Sequence, residues 1–253
     1  MEVSLGEPEQ NLRRARQMLQ EAKTRGAELV VLPELWSTGY VLEKASQYGC
    51  VPGMGILEEI GALARELQLY LCGSVIEASE GSFFNTQTIY SPEGALLAWY
   101  RKIHLFGLMQ EPEFLTAGDK LVTVDLPWGK AALAICYDLR FPEMFRSYAL
   151  SGAQLFLISA EWPRPRLDHW RTLLRARAIE NQCFVVACNC VGEGNGNIFG
   201  GHSMIVDPWG EILAEGEEGE TVISADLNLE LVNDIRSRYP VLADGRADLY
   251  QLS

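Results

Sequence analysis

Cys136 stands near the middle of Lys-Ala-Ala-Leu-Ala-Ile-Cys-Tyr-Asp-Leu-Arg-Phe-Pro-Glu (130–143), where an apolar run gives way to a polar turn and then to Pro142-Glu143, a common helix start. The run does not alternate, which predicts a strand covered on both faces, so the thiol sits where the chain leaves the core. Strand, cysteine, turn and helix in that order suit a nucleophile. Free cysteine is also among the most buried residue types and packs as a small hydrophobe, so position alone leaves a structural role open. Two more reactive side chains share the property of ending an apolar run. Glu34 follows Leu29 to Pro33, and Lys102 follows Ala95 to Arg101. Open α/β sheets place ligands at the carboxyl ends of strands, so a Glu-Lys-Cys cluster is geometrically possible. Its chemistry would be attack on a carbonyl carbon. A thiolate attacks, a cation or N–H donors meet the oxyanion, and a carboxyl moves the proton.

Alternating helices and strands position these residues. From Pro8 to Arg25, Leu12, Ala15, Leu19 and Ala22 share one helical face, and Gly26 follows as a cap. Further helices are predicted over Ile56 to Gln68, Pro142 to Ser151 and Arg166 to Asn181, and the segment beyond Asn228 begins as another. Strands are predicted at Leu29 to Leu32, Tyr70 to Glu77, Phe84 to Tyr90, Ala95 to Arg101, Leu121 to Leu126, Ala131 to Cys136, Leu155 to Ser159 and Phe184 to Cys190. Short strands follow at Ser203 to Val206, Ile212 to Ala214 and Thr221 to Ala225, and Gly192 to Gly201 reads as a glycine-rich loop. Gly107 to Lys120 reads as a packed loop, because Leu108, Met109, Phe114 and Leu115 give it something to bury. No repeat or polar linker divides the chain, so a single domain over 1–253 is expected.

Composition bounds the partners. The 253 residues are 48% hydrophobic and 22% charged, the balance of a globular protein. A formal net charge of −13 opposes nucleic acid and anionic membranes at long range, and an anionic substrate would need locally placed Arg or Lys. No apolar run reaches membrane-span length and the start does not read as a signal peptide, so a cytoplasmic chain is expected. Six cysteines without zinc-site spacing read as reduced thiols. His104, His169 and His202 lack metal-ligand spacing and are expected to make structural hydrogen bonds.

Leu-Pro-Glu-Leu-Trp-Ser-Thr-Gly-Tyr (32–40), Tyr-Arg-Lys-Ile-His-Leu-Phe (100–106) and Cys-Tyr-Asp-Leu-Arg-Phe-Pro-Glu (136–143) resemble the three signature blocks of the nitrilase superfamily of carbon–nitrogen hydrolases. Residues 170–182 and 201–210 resemble two further blocks, so the likeness covers nearly the whole chain. Within that superfamily the wording is most similar to the omega-amidase group, which hydrolyses the terminal amide of 2-oxo acid amides such as 2-oxoglutaramate. The resemblance implies an α/β fold, a four-layer α-β-β-α sandwich that pairs as a homodimer without cofactor or metal. It implies Glu34 as base, Lys102 as oxyanion partner, Cys136 as nucleophile, and the Tyr137 backbone N–H as a second oxyanion donor. Glu111, seven residues before Gly118, is implied as a further active-site carboxylate in preference to Glu113.

For the substrate, Arg140 is expected at the pocket rim, since an arginine at the similar position of carbamoylase relatives contacts substrate carboxylate. The competing role is a salt bridge to Glu143 or Asp138. Arg177 is the second choice, with pairing to Glu180 three residues on as its simpler role, and Tyr40 completes the substrate-side set. Two departures stand out. The chain begins too close to Gly6 to hold the apolar strand with which the family ordinarily opens, so either the recorded start lies downstream of the true one or the sandwich lacks that strand. Glu161, before Trp162-Pro163, puts a charged side chain where an uncharged one is expected. Hydrolases of N-carbamoyl compounds, other amides or nitriles share the triad, and a non-catalytic binding module is the remaining alternative.

Overall fold

A computed structural model describes residues 1–246, 248 and 249. Four strands form one sheet in the order β1-β2-β3-β4: β1 (Leu29–Val31), β2 (Tyr70–Ser79), β3 (Ser82–Tyr90) and β4 (Leu96–Arg101). Six form the second in the order β12-β11-β8-β7-β6-β5: β5 (Thr123–Leu126), β6 (Gly129–Ile135), β7 (Leu155–Ala160), β8 (Phe184–Asn189), β11 (Met204–Val206) and β12 (Ile212–Glu215). Among the described residues, the parallel ladders join β1 with β2 and β6, β7 and β8 in turn. These are the non-alternating apolar runs, as expected for strands covered on both faces.

Helices α1 (Pro8–Thr24) and α3 (Ile56–Leu67) cover the first sheet, where Ala15, Leu19, Ile60 and Leu63 pack with Leu32, Leu71 and Val75. Helices α5 (Pro142–Leu150) and α6 (Leu167–Asn181) cover the second, Phe145 and Leu174 joining the cluster around Phe156. Between the sheets the core is apolar with polar ties. Gln87 donates to the Leu157 carbonyl and the Ser159 hydroxyl, each at 3.2 Å, and Ser159 donates to the Leu32 carbonyl at 2.8 Å. The layers are helix, sheet, sheet, helix. Short helices α2 (Ala45–Tyr48) and α4 (Glu111–Phe114) lie in connections, and α7 (Glu230–Arg238) follows the second sheet.

Several local expectations need correction. Gly192 to Gly201 is a hairpin, β9 (Val191–Gly194) against β10 (Asn197–Gly200), because Asn195 and Gly196 both take the positive φ that its tight turn requires. Residues 221–225 have strand composition but no ladder partner among the described residues, and the Val222 carbonyl is taken by the Arg25 guanidinium. In the 107–120 connection Leu115 is buried as expected, whereas Leu108 is 81% exposed. The first residues lie beside β9, with Met1 and Val3 buried and Glu2 bridged to Val191.

Candidate active site

Strand ends bring the reactive residues together, and each is held by a specific bend. After β1, Leu32 still donates to the Cys72 carbonyl, Pro33 ends the pairing, and Leu35 takes φ 42° with its N–H on the Ser74 hydroxyl at 2.8 Å. Glu34, caught in this bend, is fully buried. Lys102, just past β4, donates its N–H to the Asn85 carbonyl and accepts from Gly118 N–H at 2.8 Å. A Cβ on Gly118 would lie 2.1 Å from the Arg101 carbonyl oxygen, so only glycine permits this approach.

Cys136 follows β6 with φ 45°, a left-handed conformation that costs a non-glycine residue ~1–3 kcal/mol unless its surroundings hold it. Asp138 does the holding. Its Oδ2 accepts from Ile135 N–H at 2.9 Å and the Tyr100 hydroxyl at 2.7 Å, and its Oδ1 from His104 N–H at 3.1 Å. The His104 ring nitrogen lies 2.8 Å from the same Oδ1, and the ring stacks on Phe141. The cysteine thus sits on a clasped elbow, and His104 is structural.

The polar cluster centres on Lys102, whose Nζ lies 2.7 Å from Glu34 Oε1 and 2.8 Å from Glu111 Oε1. Tyr40 and Asn85 converge on the same two oxygens, the hydroxyl at 2.7 and 3.0 Å and the amide at 2.8 and 3.2 Å. Glu111 is fixed further by Phe106 N–H on its Oε2. Glu34 Oε1 is therefore saturated, while among the described residues Oε2 accepts only the backbone N–H of Glu161, at 2.9 Å. The second oxygen has capacity left for a proton from the thiol.

Electrostatics follow from burial. Desolvation pushes the Cys136 thiol well up, and the Glu34 carboxylate adds to the rise while Lys102 opposes it. These surroundings favour the thiol over the thiolate. Burial works against the Lys102 charge, yet Glu111 and Glu34 together hold its pKa above the usual lysine value. Glu111 is raised by burial, with Lys102 pulling the other way and Glu34 reinforcing the rise.

A narrow cleft opens on Cys136, lined also by Tyr137, Phe106, Trp162, Arg140 and Arg166. Arg140 pairs with neither Glu143 nor Asp138. Its guanidinium lies 4.7 Å from the Trp162 ring and 3.3 Å from His169 Nδ1. Arg166 lies over Phe106 on the same cleft, and the two arginines repel. Arg177 corrects the sequence expectation of a substrate contact. It is buried behind the elbow, Nε and Nη2 donating to the Leu139 carbonyl at 3.1 and 2.8 Å and Nη1 to Glu180 at 2.7 Å. Tyr40 lies among the carboxylates rather than on the cleft wall, and Glu113 is exposed. Asn85, Arg166 and the burial of Glu161 were not foreseen.

A cysteine on a clasped elbow, a buried carboxylate and a lysine paired with it, in a four-layer sandwich, are the arrangement of a hydrolase site. The chain belongs to the carbon–nitrogen hydrolase family, whose sequence profile it matches over residues 2–237. It is 42% identical to the 2-oxoglutaramate amidase of Bacillus subtilis strain 168, covering 98% of this chain and 96% of that one. It is 36% identical to omega-amidase NIT2 of Xenopus tropicalis, covering 96% and 92%. Among solved structures, a CN-hydrolase superfamily protein from Xanthomonas campestris, crystallised with an arsenic adduct in its active site, superposes with a TM-score of 0.91 at 31% identity, covering 100% of this chain and 96% of that one.

Proposed function

We propose that this protein hydrolyses the terminal carboxamide of a small 2-oxo acid amide, of which 2-oxoglutaramate is the first candidate. The observation that carries this reading is the cleft itself, which joins Cys136 to two arginines that no carboxylate neutralises among the described residues. Amidases with the names given above are relatives along nearly the full length of the chain. In the proposed mechanism Glu34 Oε2 takes the thiol proton as sulfur attacks the amide carbon. The oxyanion meets Lys102 and the Tyr137 backbone N–H, worth ~10²–10³-fold for one such donor. Glu34 then protonates the departing nitrogen and activates water against the thioester. Glu111, Tyr40 and Asn85 hold Lys102 and Glu34 in register.

Ammonia release across a panel of 2-oxo acid amides, plain amides, N-carbamoyl amino acids and nitriles tests the reading. The oxo acid amide should give the highest kcat/KM, and a preference for carbamoyl compounds or nitriles refutes it. Arg140 and Arg166 are assigned to the substrate carboxylate, which needs local cations in a chain of net charge −13. Arg140→Lys is expected to raise KM for the oxo acid amide by roughly tenfold or more, the effect of losing a charge-assisted bond, and to leave a neutral amide almost unaffected. Equal losses on both substrates would assign Arg140 to structure.

We read the whole chain, 1–253, as one such domain that assembles as a homodimer. Exposed Trp209 and Tyr239 meet edge to face and exposed Ile179 lies beside Gly210, next in sequence to Trp209, an apolar surface that a second copy would cover; the molecular mass in solution checks it. A cytoplasmic setting is supported by six unpaired cysteines. No helix among the described residues is long and apolar enough to cross a membrane.

A further inference from the structure

Glu161 is a buried carboxyl that the mechanism above does not use. It is 1% exposed, lines the cleft beside Cys136, and neither of its side-chain oxygens finds a hydrogen-bond partner among the described residues. Leaving a buried polar group unpaired costs stability, so an unpaired carboxyl in a reactive site calls for a ligand. Its charge state is set by its surroundings. Burial raises its pKa well above the usual carboxylate range, Glu34 and Glu111 add to the rise, and Lys102 opposes it. These surroundings favour its protonated form, in which one oxygen accepts and the other donates.

Its place says which part of a substrate it meets. The Glu161 backbone N–H binds Glu34 Oε2, the oxygen that must exchange protons with both the thiol and the departing nitrogen. The departing nitrogen therefore lies against Glu34 on the side where Glu161 stands. A planar primary carboxamide presents N–H donors there, which suit the carbonyl oxygen of Glu161. Once attack makes the carbon tetrahedral, the nitrogen gains a lone pair, which suits its O–H.

We propose that Glu161 is a specificity-determining residue, whose two unpartnered oxygens bind the departing –NH₂ group and select unsubstituted carboxamides over substrates without N–H. The proposal rests on the amidase reading of this site and goes beyond it, because neither the triad nor the arginines distinguish an amide from an ester.

The test compares kcat/KM for a 2-oxo acid ω-amide with that for its ω-methyl ester, which keeps the carboxylate and the oxo group but has no N–H. Glu161→Leu, close in size, is expected to lower the amide-to-ester ratio roughly tenfold to a hundredfold, the loss of hydrogen bonds made inside a closed site. Glu161→Gln, a neutral isostere with donor and acceptor, should keep the ratio within about threefold of wild type. Because both substrates see the same enzyme, the ratio cancels any loss of folded protein. An unchanged ratio in Glu161→Leu overturns the proposal, as does a Glu161→Gln ratio as low as that of Glu161→Leu. If the wild-type enzyme hydrolyses plain primary amides and not the oxo acid amide, the substrate reading fails alone. The same ratio on a plain amide and its methyl ester then still decides the role of Glu161.

Discussion

Cys136→Ala is expected to abolish turnover, a loss of at least ~10⁴-fold in kcat, as removal of a nucleophile does elsewhere. The melting temperature should move by only a few degrees, because one sulfur atom is lost from a residue that Asp138, Tyr100 and His104 continue to clasp. Glu34→Gln should be nearly as damaging. Its Oε1 contacts can be partly kept by the amide, but Oε2 can no longer accept the thiol proton, and burial leaves Cys136 protonated without that help. Acid–base assistance is worth ~10²–10⁴-fold by itself, and a thiol that cannot lose its proton adds to the deficit. The decisive measurement is the double variant. Sulfur and base act in one step, so Cys136→Ala with Glu34→Gln should be no worse than Cys136→Ala alone. Losses that multiply would show that the two residues do not share a site, and substantial activity in Cys136→Ala would remove the covalent route.

The sequence made some of this site readable because its main parts lie at punctuation points. Cys136, Glu34 and Lys102 each follow an apolar run, and a strand end is a local signal. The polar partners gave no such signal. Asn85 lies inside β3, where period-two reasoning sees only a side of a strand, yet its amide joins Glu34 and Glu111, 51 and 26 residues away. Arg166 read as a helix start, and its position on the cleft depends on how the turn at 164–166 folds back toward Phe106.

Arg177 shows the complementary failure. Helix spacing foresaw its partner Glu180, but the Leu139 carbonyl, which takes two of its donors, comes from the elbow of another element. Glu161 was visible as a misplaced charge, while the lack of a partner for its carboxyl oxygens among the described residues is a property of packing. The strand expected at 221–225 had the right composition. Strands need neighbours, and neighbours are set by topology rather than by local pattern.

Lys102→Ala should differ from Cys136→Ala in losing stability as well as activity. The wild-type cluster places one cation between two fully buried carboxylates, each within 2.8 Å. Removing the cation leaves Glu34 and Glu111 facing each other, and breaking a buried pair in this way costs ~3–5 kcal/mol. In a chain of this size that corresponds to ~6–20 °C in melting temperature. Loss of activity should be complete for practical purposes, since the oxyanion loses its cation and Glu34 loses the contact that orients it. The pH dependence identifies the cause. Glu111 is already raised by burial with Lys102 present, and without Lys102 the opposing effect is gone, so its native-state pKa rises further above the unfolded value. The native state then binds more protons than the unfolded chain, and stability falls as pH rises through that range. Melting temperatures of Lys102→Ala should accordingly climb toward wild type as pH is lowered from neutral, until other carboxylates begin to unfold both proteins. Adding Glu111→Gln to Lys102→Ala removes one of the opposed charges, and should recover stability at neutral pH without recovering activity. If the gap between Lys102→Ala and wild type is the same at every pH, or if Glu111→Gln gives no relief, the cost lies in lost packing of the lysine stem, and the charge cluster is not what holds these strand ends together.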